Sequence, residues 1–163
     1  MLKIGHRGVA GHEVENTAKS LQKALDLKVD MIELDVHKCA SGELVVFHDK
    51  RVSRITDSSG SIRKKTLAEI KKLRTSDNQE ILTLAEALEI IDGRCNVNIE
   101  IKHRGVASAL VDVVRQLTEK QKWQLDQFLI SSFYHRELGR LKKIHPEIKI
   151  GLLYYRNLRS AVK

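Results

Sequence analysis

The sequence has few cysteines and no long hydrophobic segment. Its only cysteines, Cys39 and Cys95, have no metal-ligand spacing, so we expect two reduced thiols. No apolar run approaches the roughly 18 residues that a transmembrane helix needs. Residues 1–8 are strand-like and lack the apolar core of a signal peptide. We therefore expect a cytoplasmic protein without a transmembrane segment.

Aromatic residues are also scarce, and this limits the kinds of anionic partner that the positive net charge can indicate. They make up 4% of the chain and show no pattern for stacking on bases, so we expect no nucleic-acid partner. The net charge is +8, with basic clusters at 63–65, 71–74 and 136–163. Such a balance favours anionic partners, such as phosphate substrates or acidic lipid. The alternative is that most of these charges simply solvate helix faces.

The stretch 31–49, MIELDVHKCASGELVVFHD, predicts a β-hairpin. Apolar and polar residues alternate in its first part, which is the period of a strand, and Glu33 and Asp35 fall on the polar face. About six residues separate this part from the apolar run at 44–47, whereas a parallel crossover needs about a dozen or more. We therefore expect the second part to return antiparallel and to bring His48 near the two carboxylates.

A second alternating segment, NVNIEIK at 96–102, places Glu100 on its polar face. We expect Glu33, Asp35 and Glu100 to form one cluster. Three carboxylates in a partly buried site need a counter-charge, and we expect a divalent cation rather than a lysine or arginine. An all-oxygen ligand set suits one Mg²⁺ or Ca²⁺ ion rather than zinc. The alternative is an amphipathic strand whose carboxylates simply face water.

The order of elements predicts an α/β protein. We expect six parallel strands alternating with helices, at 3–5, 31–37, 81–82, 96–102, 128–132 and 148–154. Helix starts are marked by Thr17 and by two capping boxes, which begin at Thr66 and Thr83. We expect one domain, 1–163, with a small insertion at 50–79. The pattern fits a barrel or an open sheet, but no GxGxxG motif or P-loop supports a nucleotide-binding sheet.

Six short motifs follow one another along the chain: HRG at 6–8, ENT at 15–17, ELDV at 33–36, FHD at 47–49, NIEIK at 98–102 and SSF at 131–133. In this combination the chain resembles the glycerophosphodiester phosphodiesterase family over nearly its whole length. The resemblance implies a (β/α)8 TIM-barrel fold with a small insertion after the His-Asp motif. It also implies metal-dependent hydrolysis of glycerophosphodiesters to sn-glycerol 3-phosphate and an alcohol.

The resemblance also implies roles for nine residues. They are the metal ligands Glu33, Asp35 and Glu100, the general acid-base pair His6 and His48, the substrate-phosphate ligands Arg7 and Lys102, and Glu15 and Asn16, which would orient the first loop. The three metal ligands coincide with the cluster expected from alternation alone. The sequence does not assign the proton-transfer steps to the histidines, but the family match and the returning hairpin arm favour His48 as the acid for the leaving group.

The length of the chain affects both fold and function. A complete barrel has about 250 residues, so we expect a C-terminally incomplete barrel with strands 1–6 present and strands 7 and 8 missing. Its open sheet edges would permit self-association. Two other functions remain as alternatives. One is a lysophospholipase D-type enzyme on the same fold, and the other is a non-catalytic fragment that binds anions or lipid.

Overall fold

The computed structural model describes residues 1–120 and 122–155, which form a mostly parallel sheet flanked by helices. The strands are β1 (Ile4–Gly5), β2 (Met31–Lys38), β3 (Leu44–Val46), β4 (Asn96–Ile101), β5 (Phe128–Ser132) and β6 (Lys149–Leu152). The helices are α1 (Ala18–Asp26), α2 (Leu67–Ile70), α3 (Leu84–Ile91), α4 (Ala107–Glu119) and α5 (His135–Ile144). Short 3₁₀ helices span Val52–Arg54, Ile62–Lys64 and Leu125–Gln127. The end of the predicted domain and of the basic stretch 136–163 lies outside the described residues.

The sheet is ordered around β2. Its strand order is β1-β2-β4-β5-β6, all parallel, and β3 pairs antiparallel with β2. β4 follows one edge of β2 from Met31↔Asn96 to Val36↔Ile101. β1 and β3 pair with opposite ends of the other edge. The hairpin predicted from the short loop is therefore confirmed, and so is the α/β fold class.

The parallel strand predicted at 81–82 is wrong. Leu82 accepts one hydrogen bond from the backbone N–H of Val46 at 2.8 Å, and Thr83 forms a single antiparallel bridge with Val45. Because β2 and β4 pair directly, no strand lies between them. Ile81 and Leu82 are apolar because they are buried against the hairpin, in a segment without strand pairing. The described residues thus contain five parallel strands and one antiparallel arm, rather than six parallel strands.

The predicted helix starts are confirmed by local hydrogen bonds. The Thr17 hydroxyl accepts from the backbone N–H of Ser20 at 3.3 Å and caps α1. Thr66 and Thr83 begin α2 and α3 with reciprocal capping boxes. The residue after α3, Asp92, is its C-cap and has a left-handed φ of 50°. These bonds depend on neighbours in sequence, because a helix start leaves its first N–H groups without partners inside the helix.

Two hydrophobic clusters hold the fold together. The larger one joins the strands to the helices through fully buried residues such as Leu34 and Ile99. The smaller one joins the insertion to the hairpin through Phe47, Val52 and Ile62. The insertion is therefore packed against the arm that leads into His48.

The other face of the sheet is polar near the middle. Alternation turns Glu33 and Asp35 of β2 away from the apolar cluster, and Glu100 of β4 lies level with Asp35. β1 and β6 lie at the two ends of the sheet in the described part of the chain, as expected for the first and last strands. Within residues 1–120 and 122–155, no helix is long and apolar enough to cross a membrane.

Candidate active site

The loop after β1 is held tightly against α1. The Ser20 hydroxyl donates to the carbonyl of Arg7 at 2.9 Å and accepts from the N–H of Val9 at 2.8 Å. Arg7 and Gly8 both have positive φ, at 53° and 81°. A Cβ on Gly8 would lie 2.4 Å from the Ser20 hydroxyl oxygen, so only glycine fits there. This loop fixes where His6 and Arg7 leave the sheet.

The three predicted acids do form one cluster. Asp35 and Glu100 are register partners on β2 and β4, and Glu33 lies two residues earlier on β2. One carboxylate oxygen from each side chain lies within 4.8 Å of the other two. Asp35 is almost fully buried, and Glu33 and Glu100 are only slightly exposed. The cluster expected from alternation is therefore present.

Two cationic side chains contact this cluster, which corrects one expectation. Lys102 Nζ lies 2.7 Å from Glu100 Oε1 and 3.1 Å from Asp35 Oδ1. Arg7 Nε lies 3.3 Å from Asp35 Oδ2, and Asn16 Nδ2 donates to the same oxygen at 3.0 Å. Lysine and arginine thus supply part of the counter-charge that we had expected from a metal alone.

Glu33 is the acid with which neither of these cations forms an ion pair. Its Oε2 accepts from the backbone N–H of Arg7 at 2.9 Å, and His6 Nε2 lies 3.8 Å away. No lysine or arginine side chain among the described residues forms an ion pair with it. Burial raises the pKa of Glu33 to about 8, and the charges of Asp35 and Glu100 add to the rise. Its carboxylate therefore needs a further positive charge to be stable as an anion.

The two histidines have different surroundings. His6 directly follows β1, and its side chain is 66% exposed. His48 lies beyond β3, where its Nδ1 is 2.7 Å from Asp49 Oδ1. The His48 carbonyl is 3.2 Å from Nε2 of buried His37, whose pKa burial lowers to about 4. A neutral His37 can donate from Nε2, which fixes the backbone at His48.

Glu15 joins the first loop to the insertion. Its Oε1 accepts from Arg7 Nη1 at 3.0 Å, and its two oxygens accept from the guanidinium of Arg54. Arg54 Nε also donates to Asp49 Oδ2. A continuous set of polar contacts thus joins His48 to Arg7, and Asn16 is tied to the cluster through Asp35. The structure places all nine predicted residues in one connected region, and their catalytic roles stay predictions.

The donor set fits a hard divalent cation. Across the connected ion pairs, five carboxylates meet three cationic side chains: Glu15, Glu33, Asp35, Asp49 and Glu100 against Arg7, Arg54 and Lys102. With all five carboxylates ionised and the two contacting histidines neutral, two negative charges remain, which one divalent ion would offset. Asp35 Oδ1 is buried, and its contact with Lys102 is not aligned as a hydrogen bond. Carboxylate oxygens are the usual ligands of Mg²⁺ and Ca²⁺.

A cavity of about 550 Å³ lies beside the cluster. Glu100 and Lys102 line one part of it, together with Lys50 from the start of the insertion. Leu153 and several aromatic residues line the rest, and the rings of Phe133 and Tyr155 stack with their centroids 4.0 Å apart. A space of this size next to charged groups can accept a small polar ligand.

Asp49 and Arg54 are site residues to which the sequence assigned no role. Asp49 belongs to the FHD motif, but the motif does not show that its carboxylate binds the neighbouring ring. Arg54 is one of many basic residues in the insertion. The only feature of the sequence that could have pointed to it as a site residue is its position five residues after Asp49.

A parallel α/β sheet with acidic and basic side chains at the carboxyl ends of its strands is the arrangement of barrel-type enzymes. His6 follows β1, and Glu100 is the last residue but one of β4, so the site lies at this edge. The chain belongs to the glycerophosphoryl diester phosphodiesterase family, whose sequence model matches residues 6–162.

Individual relatives agree with this assignment. A glycerophosphodiester phosphodiesterase of Caldanaerobacter subterraneus is 38% identical over 166 residues, which are 94% of this chain and 66% of the relative. A phosphodiesterase of Oleispira antarctica, solved in complex with the product sn-glycerol-3-phosphate, matches with a TM-score of 0.84 and 36% identity, over 93% of this chain and 65% of that one.

A third relative matches this chain over a similar share of both chains. The glycerophosphodiester phosphodiesterase of Agrobacterium tumefaciens matches with a TM-score of 0.82 and 31% identity, over 92% of this chain and 66% of that one. The chain therefore spans about two thirds of the length of these relatives.

Proposed function

We propose that this chain hydrolyses glycerophosphodiesters to sn-glycerol 3-phosphate and an alcohol. The proposal rests on one observation: the acidic cluster, His6 and two cations that could bind phosphate, Arg7 and Lys102, lie together at one edge of the sheet. Arg7 and Lys102 both contact Asp35, and His6 lies next to Glu33. The names of the relatives, and the product bound in one of them, point to the same chemistry.

Glu33, Asp35 and Glu100 would hold the divalent cation, Mg²⁺ or Ca²⁺. When bound, this ion supplies positive charge to the phosphate oxygens, where negative charge builds up during the reaction. Arg7 and Lys102 would bind the same phosphate. Because both side chains are already held by carboxylates, little ordering remains for substrate binding.

His6 and His48 would make the two proton transfers of this reaction. His6 accepts the proton of the glycerol hydroxyl next to the phosphate, and the hydroxyl oxygen attacks phosphorus. The bond from phosphorus to the alcohol oxygen breaks, and His48 donates a proton to that oxygen. Water then opens the cyclic phosphate. The contact of His48 with Asp49 supports its role as the acid, because a carboxylate at Nδ1 fixes the orientation of the ring.

We also propose that the described sheet is part of an eight-stranded barrel, of which it holds five parallel strands. The relatives are longer than this chain, and they share its fold with high TM-scores. In the part of the chain that the structure describes, β1 and β6 are end strands, and Ile4 and Leu152 on them are about half exposed. Apolar side chains on such edges favour self-association.

The function is tested by measuring release of sn-glycerol 3-phosphate from glycerophosphocholine and glycerophosphoethanolamine. We expect release with Mg²⁺ or Ca²⁺ and its loss on chelation. Turnover of lysolipids alone would replace this proposal with a lysophospholipase D-type activity. Binding of sn-glycerol 3-phosphate without turnover of any of these esters would indicate a non-catalytic binding protein.

A further inference from the structure

Arg54 lies between two loops. One carries Arg7, a proposed phosphate ligand, and the other carries His48, the proposed acid. Arg54 is the last residue of the 3₁₀ helix Val52–Arg54 in the insertion. Its Nε donates to Asp49 Oδ2 at 2.5 Å, and its Nη1 and Nη2 donate to the two oxygens of Glu15 at 3.1 and 2.5 Å. One guanidinium therefore binds two carboxylates 34 residues apart in sequence.

Each of these carboxylates has a second partner on its far side. Asp49 Oδ1 lies 2.7 Å from His48 Nδ1, and Glu15 Oε1 accepts from Arg7 Nη1 at 3.0 Å. The contacts thus run from His48 through Asp49, Arg54 and Glu15 to Arg7. Arg54 is the only one of the five in the insertion proper, at 50–79.

The backbone next to Arg54 is held in place by other residues of the insertion. Val52 is fully buried in the smaller hydrophobic cluster, and its N–H donates to the Gly60 carbonyl at 3.0 Å. The Thr56 hydroxyl donates to the Val52 carbonyl at 2.8 Å. The backbone next to Arg54 is therefore held by packing and hydrogen bonds, although the tip of the side chain reaches partly exposed surface.

We propose that Arg54 is a positioning residue, through which the insertion holds His48 and Arg7 in place for catalysis. Without the guanidinium, Asp49 and Glu15 would be two nearby carboxylates with no shared cation. Asp49 would be free to turn away from the His48 ring, and Glu15 would hold Arg7 with nothing to fix its own position. A lysine cannot replace Arg54 fully, because a single ammonium lacks the planar set of donors that contacts both partners.

This inference rests on the proposed function for its kinetic test. We would compare Arg54→Met and Arg54→Lys with Arg51→Met, which removes the same charge from the same insertion. Arg51 is exposed, and its side chain forms no ion pair with any residue of the described part. All variants are first checked for folding by thermal unfolding, and Arg54→Lys provides a folded variant should Arg54→Met be unstable.

For Arg54→Met we expect kcat on glycerophosphocholine to fall by about 100-fold, within the range that a positioned proton donor contributes. On a nitrophenyl ester, whose leaving group needs no proton, the loss should be below about tenfold. Arg54→Lys should fall between Arg54→Met and wild type, and Arg51→Met should match wild type. Equal losses on both esters would refute the link to His48, and losses no larger than those of Arg51→Met would overturn the positioning role.

A second measurement separates this inference from the proposed function. Calorimetry with sn-glycerol 3-phosphate reports the placement of Arg7 without any turnover. We expect Arg54→Met to weaken this binding by about tenfold, as is usual when a supporting partner of a binding residue is lost. If wild type binds but turns over no ester, and Arg54→Met binds more weakly, the function fails while the positioning role stands. Unchanged binding in a folded Arg54→Met protein would refute the link to Arg7.

Discussion

Glu137 allows a quantitative test of how the loop after Lys102 is held. This residue is fully buried in the first turn of α5. Its Oε2 accepts the backbone N–H groups of Val106 and Ala107 at 3.2 and 3.3 Å. Val106, which precedes α4, has no side-chain cap of its own. A carboxylate from α5 therefore caps α4 and fixes the end of the loop that begins at Lys102.

We expect Glu137→Gln to lower the free energy of unfolding by about 2.5 kcal/mol. An amide oxygen can still accept from the two N–H groups, but each neutral bond is weaker than a charged one by roughly 1 kcal/mol. Loss of the charge at the start of α4 adds about 0.5 kcal/mol. The ion pair with Arg140 adds little, because that side chain is 62% exposed. Glu137→Ala should lose about 4 kcal/mol, because both N–H groups lose their acceptor.

The assay is denaturant unfolding followed by the fluorescence of Trp123. It is the only tryptophan, it is buried, and it packs on Phe128 with ring centroids 5.0 Å apart. Glu147→Gln, which changes an exposed glutamate, is the matched control. If Glu137→Ala unfolds at the same denaturant concentration as this control, the capping role is wrong; if only Glu137→Gln does, the charge contributes nothing to the cap.

The stability difference between wild type and Glu137→Gln should also depend on pH. Although burial opposes the shift, hydrogen bonds from the loop amides and Arg140 lower the pKa of Glu137 below its usual 4.5. The folded pKa is thus below the unfolded one. The charged carboxylate therefore stabilises the fold above pH 4.5, and this contribution is lost as the pH falls through the folded value. The stability difference between wild type and Glu137→Gln should shrink in acid. A constant difference would mean that charge is not the cause.

Four further predictions address the site and the sheet. Glu100→Gln should weaken Mg²⁺ or Ca²⁺ binding in calorimetry by roughly tenfold or more, and no binding to wild type at millimolar concentration would refute the metal site. His48→Ala should reduce hydrolysis of a choline ester far more than that of a nitrophenyl ester, whereas equal losses would remove His48 as the acid. Gly8→Ala should cost about 2 kcal/mol or more in denaturant unfolding, because it combines a positive φ with contact to Ser20, and Gly11→Ala, in open space, should be nearly neutral. Leu152→Lys on β6 should reduce self-association in size-exclusion chromatography, and an unchanged wild-type monomer would show that the edge recruits no partner.

Much of the site could be predicted because its signals are local or periodic. The strand period alone put Glu33 and Asp35 on one face, and parallel pairing then placed Glu100 level with Asp35. A loop of about six residues could only return antiparallel, so the hairpin leading to His48 was predictable. Identification of the family rested on the order of short motifs rather than on any single one.

The error at Ile81 and Leu82 has a physical reason. Two apolar residues report that a segment is buried, but not what covers it. Here the segment packs against β3 with one bridge, and β4 takes the place beside β2 that a parallel strand would need. The choice depends on pairing between segments about 60 residues apart, which a local pattern does not contain.

The sequence by itself determined the α/β order, the threonine caps of α1, α2 and α3 and the identity of the acidic cluster, because each follows from spacing along a few neighbouring residues. Only the tertiary structure decided which charges meet. Lys102 turns back to Asp35, Arg54 binds both Glu15 and Asp49, and Glu137 caps a helix that begins 30 residues before it. These partners are distant in sequence, and long charged side chains can turn toward several of them. Packing of the hairpin, the insertion and the helices decides which of these partners each charge meets, since an unpaired buried charge is far more costly than a paired one.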